Sequence, residues 1–162
     1  MNCKPGKILL VFSFFCLMLL APSAGLSAQK KRVERIYNLY DCLKDYGIAE
    51  PKTVLAVAVY ETGWLECKNC TLQLNNLFGF RTSSQYIRFA NIYQCLEYMK
   101  RWQEFYYVPW QLKHPNGTYY QFLIHMKYAK NTDYYIHKLR PIEKWIDENF
   151  DLDGEQTKDA GL

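Results

Sequence analysis

The fold is decided by Val54-Leu-Ala-Val-Ala-Val-Tyr-Glu-Thr-Gly-Trp64, in which seven consecutive apolar or aromatic residues are followed by one acid, Glu61. A run that is apolar on every side is expected to lie in the core, as a helix or as a strand. Its valines favour a strand, whereas Pro51 suits the first turn of a helix. Periodicity alone therefore leaves the element type open, but it places Glu61 at the edge of the core.

This position predicts that Glu61 keeps its proton longer than a glutamate in water. Low-dielectric surroundings disfavour the charged carboxylate and raise its pKa. A glycosidase needs such a group as its general acid, because the acid must hold a proton near neutral pH and transfer it to a leaving oxygen. An ordinary exposed glutamate at a helix end is the alternative interpretation, since perturbed acids also occur in structural networks.

A second stretch, Asn75-Asn-Leu-Phe-Gly-Phe-Arg81, follows after a short polar insert. Tyr60-Glu-Thr-Gly-Trp64 and Asn75-Asn-Leu-Phe-Gly79, in this order, resemble the bacterial glucosaminidase family, glycoside hydrolase family seventy-three. That family includes the flagellar peptidoglycan hydrolase domain and the Bax-type proteins, and a mannosyl-glycoprotein endoglycosidase name is sometimes attached to it. The resemblance extends over about Val33 to Phe150, and Lys127 to Leu139 resembles the family's closing motif.

The resemblance implies a mainly α, lysozyme-like fold of the α+β type, with a helical bundle around a central buried helix and a small β-hairpin beside the cleft. It implies cleavage of the β-1,4 bond after N-acetylglucosamine in peptidoglycan, with Glu61 as the catalytic acid. The candidate substrate-binding residues are those that the motifs place near this acid: Trp64, Asn76, Phe78, and Tyr134 or Tyr135 as the family's site tyrosine.

The sequence does not identify the second catalytic group. Family members often carry another acid in the hairpin, whereas this chain has none between Cys67 and Leu96. Glu66 and Asp133 are the nearest candidates, and each is also compatible with a solvated surface charge. The remaining option is attack by the 2-acetamido group of the substrate itself, a recognised exception to the two-carboxylate rule.

Three other functions fit the same motifs. A lytic transglycosylase would use one glutamate as acid and then as base, and would release an anhydro sugar. A non-catalytic wall-binding module would keep the cleft after losing the hairpin acid. A mannosyl-glycoprotein endoglycosidase of the eukaryotic type is the third.

The N-terminus has the pattern of a secretory signal peptide. Lys4 and Lys7 precede an uncharged apolar run, residues 8–20, and small residues follow it. A retained membrane anchor is disfavoured because this run is shorter than the ~20 residues of a span. We expect cleavage after Ser27 or Ala28, which gives a signal peptide at 1–28, one glucosaminidase domain at 29–150 and a disordered tail at 151–162. The protein is then exported to the periplasm or outside the cell, with no membrane span.

Four cysteines stay in the mature chain, in an oxidising compartment, and they are the disulfide candidates: Cys42, Cys67, Cys70 and Cys95. Four cysteines allow three pairings, so the sequence does not fix the bonds. A zinc ribbon would need a second closely spaced pair, which the chain lacks. His114, His125 and His137 also show no ligand spacing. We therefore expect one or two structural disulfides, with free thiols as the alternative, and no metal or cofactor.

The charge of the chain is too weak to identify a partner. The full sequence carries a net charge of +4, and removing two of its 20 basic residues with the signal peptide leaves +2. A mild positive balance suits an anionic wall polymer but is also common in inert domains. We expect peptidoglycan glycan strands as the partner, no nucleic acid, and a monomer.

The remaining elements follow from apolar periodicity and breaker residues. Helices are predicted at 30–46, 91–107 and 118–127 and in a last helix that Pro141 should kink, with Pro109 ending the second of them. A hairpin is predicted from 77–81 and 85–89.

Overall fold

The computed structural model describes the backbone of residues 8–150 and the side chains of residues 27–150. The predicted signal peptide thus lies almost entirely outside the described side chains, and the predicted tail at 151–162 lies outside the described residues. Contacts divide the chain into two units, Met1–Glu34 and Arg35–Leu162. The core and the candidate site belong to the second unit.

The described residues are mostly helical, as predicted. In chain order the α-helices are α1 (Ile8–Asp45), α2 (Pro51–Glu61), α3 (Ile92–Trp102), α4 (Val108–Lys113), α5 (Tyr119–His125) and α6 (Thr132–Asn149). A 3-10 helix at Thr71–Leu74 and a π-helix at Gln103–Tyr107 complete the helical elements of this part of the chain. Within the same residues, no helix is long and apolar enough to cross a membrane.

The predicted hairpin is reduced to one pair of residues. Residues 8–150 contain no β-strand, and an isolated antiparallel bridge joins Arg81 to Tyr86. The mainly α class is therefore confirmed at the level of helix content.

The apolar run at residues 54–60 lies in α2 and is therefore helical. Every residue from Thr53 to Val59 is buried, so the helix has no solvent face along its middle. It packs chiefly on α6. Thr53 Oγ1 donates to Glu143 Oε1 over 2.6 Å, and Lys52 Nζ lies 3.0 Å from Asp147 Oδ1. These bonds fix the register between α2 and α6. They therefore determine which side chain of α6 lies beside Glu61, the last residue of α2.

The prediction that Pro109 ends the long helix is wrong. The chain continues from α3 through the π-helix into α4, and Pro109 lies in the first turn of α4. A proline is tolerated there because its missing N–H needs no partner in a first turn. The wider turn before it is anchored by the buried Gln103, whose Oε1 accepts from the N–H of Ala49 over 2.8 Å and whose Nε2 donates to Ala49 O over 2.9 Å.

Candidate functional site

Glu61 is the last residue of α2, and a strained turn follows it. Gly63, Trp64 and Leu65 have φ values of 52°, 64° and 58°, so three consecutive residues are left-handed. A bulky residue in this region costs about 1 to 3 kcal/mol and persists only where its surroundings hold it. Trp64 is held by the ring of Trp145, edge-on at 4.8 Å. Strain of this kind is concentrated at functional sites, which makes the end of α2 a candidate for one.

One carboxyl oxygen of Glu61 is bonded to a buried tyrosine on α6. The hydroxyl of Tyr135 donates to Glu61 Oε1 over 2.8 Å. Burial raises the pKa of Glu61, and the bond from Tyr135 offsets part of this rise because it favours the charged form. The pKa of Tyr135 is also raised, by burial first and then by Tyr128 and Glu61, so its hydroxyl stays protonated and remains a donor.

The other carboxyl oxygen lies against the backbone of Gly79. A Cβ built at Gly79 would stand 2.7 Å from Glu61 Oε2 and 3.0 Å from Glu61 Cδ. Gly79 also has a φ of +67°, which residues with a side chain rarely adopt. Both the space and the backbone conformation therefore require glycine here, and the carboxyl group is confined between Gly79 and Tyr135.

Asn76 holds the loop that presents Gly79. This residue is fully buried, with 0% of its surface exposed. Its Nδ2 donates to Phe80 O over 2.8 Å and to Ile87 O over 2.9 Å, and its Oδ1 accepts from the N–H of Phe80 over 3.0 Å. The side chain amide is thus bonded at both ends to the backbone of its own loop. Its contribution to the site is to shape the loop around Gly79.

A pocket of about 280 Å³ opens beside this carboxyl group. It is lined by Glu61, Phe78, Gly79, Phe80, Arg81, Trp102, Met126, Lys127 and Tyr128. Glu61 is the one carboxylate among these described lining residues, and Arg81 and Lys127 are the two cations. The arrangement combines one acid with a raised pKa, two positive charges and several aromatic rings, which suits a neutral or anionic ligand with apolar faces.

The structure brings together some of the predicted site residues and separates others. Phe78 lines the pocket, and Tyr135 bonds to the acid. Tyr134 is 55% exposed, and neither Tyr134 nor Trp64 lines the pocket. Among the two tyrosines left open by the sequence, Tyr135 is the one in contact with Glu61.

Several lining residues were not predicted from the sequence. Tyr128 donates from its hydroxyl to Phe78 O over 2.7 Å and packs on the ring of Tyr135. It belongs to the closing motif that carried the resemblance, and so it could have been singled out. Lys127 is the first residue of the same motif. Trp102 carries no such signal, since it lies on α3, which only the fold brings to this pocket.

The candidate second acids lie outside this pocket. Glu66 Oε1 pairs with Arg35 Nη2 at 2.5 Å on the exposed surface. Asp133 is exposed at the start of α6 and lines a different pocket, together with His137 and Arg140. Neither residue is among those that line the pocket beside Glu61.

The four cysteines among the described side chains fall into two groups. A disulfide joins Cys67 to Cys70 in the loop after α2, while Cys42 and Cys95 are free thiols. Cys95 is buried, which raises the pKa of its thiol to about 12, and its Sγ accepts from the N–H of Leu77 over 3.4 Å. Among the side chains of residues 27–150, no three His, Cys, Asp or Glu residues come together as a metal site would require.

Comparison with known proteins gives no match for this chain. No family model matches it, and neither a curated protein nor a solved structure is significantly similar to it. A functional hypothesis therefore depends on the geometry around Glu61 and on the two sequence motifs.

Proposed function

We propose that this protein is an exported, monomeric glycoside hydrolase of lysozyme-like fold that cleaves the β-1,4 bond after N-acetylglucosamine in peptidoglycan. The observation that supports this most directly is the environment of Glu61. Its carboxyl group is desolvated, has a raised pKa and is confined between Tyr135 and Gly79 at the wall of an open pocket. A general acid needs this combination of a retained proton, a fixed position and access to substrate.

In the proposed reaction, Glu61 donates its proton to the glycosidic oxygen as the bond from that oxygen to the anomeric carbon breaks. The carbonyl oxygen of the 2-acetamido group attacks the anomeric carbon and forms a cyclic intermediate. Water then opens the ring, and its proton returns to Glu61, which restores the acid. This route requires one protein carboxylate, in agreement with Glu61 being the sole acid among the described residues that line the pocket.

The single carboxylate also favours one alternative, a lytic transglycosylase. In that reaction Glu61 would first protonate the leaving oxygen and then, as the carboxylate, remove a proton from a hydroxyl of the sugar that closes the anhydro ring. The two reactions need the same acid and differ in their products. Tyr135, bonded to the carboxylate, would assist the second role by stabilising the charged form.

Mass spectrometry of purified muropeptides after incubation with the protein tests the proposal. A new reducing end at N-acetylglucosamine is expected for the hydrolase, and an anhydro sugar would identify the transglycosylase instead. Glu61→Gln is the matched control, because the amide has the same shape and cannot donate the acid proton. We expect it to lower the rate by about 10² to 10⁴ fold, while a cooperative melting transition shows that the variant is folded. No product from the wild-type protein, or full activity in a folded Glu61→Gln variant, would reject the proposal.

A further inference from the structure

We propose that an exposed row of aromatic rings on α3 and the π-helix binds the sugar rings of a glycan strand where it leaves the Glu61 pocket. The row, here termed the aromatic ridge, consists of the exposed Tyr98, Phe105 and Tyr106 and of the partly buried Trp102, which also lines the pocket. The proposal rests on the proposed function, because it concerns how the same site holds a polymer. It assigns these residues as an extension of the binding site and predicts a preference for long strands.

The ridge is an apolar face that the fold leaves uncovered. Tyr98, Phe105 and Tyr106 are 40%, 73% and 42% exposed. Each lies three or four residues from Trp102, which places them on one side of the helix, whereas Met99 and Tyr107 point into the core. A surface helix needs one apolar face to pack on the core. These exposed rings lie on a second face, which is therefore available for a ligand. Exposed apolar patches of this kind mark interaction sites.

The π-helix contributes to this arrangement. It spans Gln103–Tyr107 and directs Gln103 and Tyr107 inward, while Phe105 and Tyr106 stay outside. Single turns of π-helix are rare in proteins overall, but where they occur they are often found at functional sites.

The ridge is continuous with the pocket. Trp102 lines the pocket, and its ring lies 5.8 Å from that of Tyr106, which in turn lies 4.8 Å from Phe105. On the other side, the pocket residue Phe80 lies 4.8 Å from Tyr98. A chain of ring contacts therefore leads from the wall of the pocket to the exposed surface.

The size of the pocket requires such an extension if the substrate is a polymer. Its volume of about 280 Å³ is at the lower end of sites that enclose a drug-sized molecule. A glycan strand with one bond beside Glu61 must therefore cross neighbouring surface. Aromatic rings suit this surface because they pack on the apolar faces of sugar rings, while the hydroxyls of Tyr98 and Tyr106 remain able to form hydrogen bonds.

The proposal is tested by binding of N-acetylglucosamine oligomers, measured by calorimetry in the Glu61→Gln background so that the ligand is not consumed. The ridge variant is Phe105→Ala with Tyr106→Ala; both positions are exposed, and a thermal melt checks the fold. We expect the hexasaccharide to bind about tenfold more weakly, equivalent to about 1.4 kcal/mol, with the disaccharide unaffected. Tyr93→Ala is the matched control, because Tyr93 is a tyrosine of intermediate exposure, 55% against 42% for Tyr106 and 73% for Phe105, whose position on α3 is opposite to Trp102.

Four other outcomes would contradict the proposal that the aromatic ridge binds a glycan strand. They are equal hexasaccharide affinity in parent and variant, equal losses of affinity for both ligands, no binding of the hexasaccharide by the parent, and a self-association that the ridge variant abolishes. Cleavage by the wild-type protein is measured separately on purified peptidoglycan. Failure to cleave would reject the proposed function. Cleavage together with unchanged oligomer binding would reject only the proposed role of the ridge in glycan binding.

Discussion

The hydroxyl of Tyr135 on α6 donates a hydrogen bond to Oε1 of Glu61 at the end of α2, over 2.8 Å. The bond favours the charged carboxylate and so lowers the pKa of Glu61 from the value that burial alone would give. In the proposed reaction, this bond would balance two requirements of a general acid, which must keep its proton at working pH and yet release it during the reaction.

Tyr135→Phe removes this donor and keeps the ring that packs on Tyr60. The pKa of Glu61 should then rise further, because burial remains and the opposing hydrogen bond is lost. Activity that needs protonated Glu61 falls as pH rises through this pKa, so the alkaline limb of the profile of kcat/KM should move to higher pH. A pH–rate profile on glycan substrate checks this. A limb that moves to lower pH, or does not move, would show that Tyr135 does not control the proton on Glu61.

Glu61 should also make stability depend on pH. Its folded pKa is raised above the ordinary 4.5, so the native state binds the proton more tightly than the unfolded chain does. Stability from this group is fully present below 4.5 and is lost as pH rises through the folded pKa. Glu61→Gln has no such loss, and its free energy of unfolding relative to wild type should increase from acidic to neutral pH. Urea unfolding of both proteins across this range measures the difference. A difference that decreases with pH would mean that the charged form is favoured by folding.

Gly79→Ala should inactivate the protein, whereas Gly47→Ala should not. Both glycines have positive φ, 67° and 62°, so each alanine strains the backbone by a comparable amount, about 1 kcal/mol or more. At Gly79 the new methyl would also collide with the carboxyl group of Glu61, while at Gly47 it would meet only the end of the Lys100 side chain, 3.3 Å away. Melting temperatures and cleavage rates are to be compared. Equal activity in the two folded variants would show that the contact between Gly79 and Glu61 is unimportant.

The described residues 27–150 should contain the bond between Cys67 and Cys70 and two free thiols, Cys42 and Cys95. Alkylation without denaturant should label Cys42, which is partly exposed, and spare the buried Cys95. Because the bond closes a short loop with a sequence separation of 3, replacing both cysteines by alanine should cost only about 2 kcal/mol. Mass spectrometry of protein from an oxidising compartment counts the labels, and urea unfolding gives the stability. Four reactive thiols after denaturation would contradict the assignment.

The sequence was sufficient to place Glu61 at the edge of the core, but it left the element type open and did not reveal the other side chains that line the pocket. A continuous apolar run that ends in one glutamate already places that glutamate at the edge of the core, whatever the element type. A neighbour such as Trp102 cannot be found in this way, because only packing between distant segments brings it to Glu61. The error at Pro109 has a local cause, since a π-helix changes the register in a way that apolar periodicity does not encode.

Neither Glu66 nor Asp133 is expected to be the second catalytic group. Glu66 is paired with Arg35 on the surface and Asp133 lines a different pocket, so Glu66→Gln and Asp133→Asn should each retain most of the activity. Glu61→Gln, measured in the same assay, is the reference for a loss of activity.

If the acetamido group of the substrate replaces a second carboxylate, two inversions at the anomeric carbon leave the product in the β configuration. A thiazoline analogue of N-acetylglucosamine should then inhibit, since it resembles the cyclic intermediate. Proton magnetic resonance of the first-formed product reads the anomer directly. A water that attacks from the opposite face would give the α anomer and no special sensitivity to the thiazoline. The α anomer, combined with inactivity of either single carboxylate variant, would establish a protein base and exclude the acetamido route.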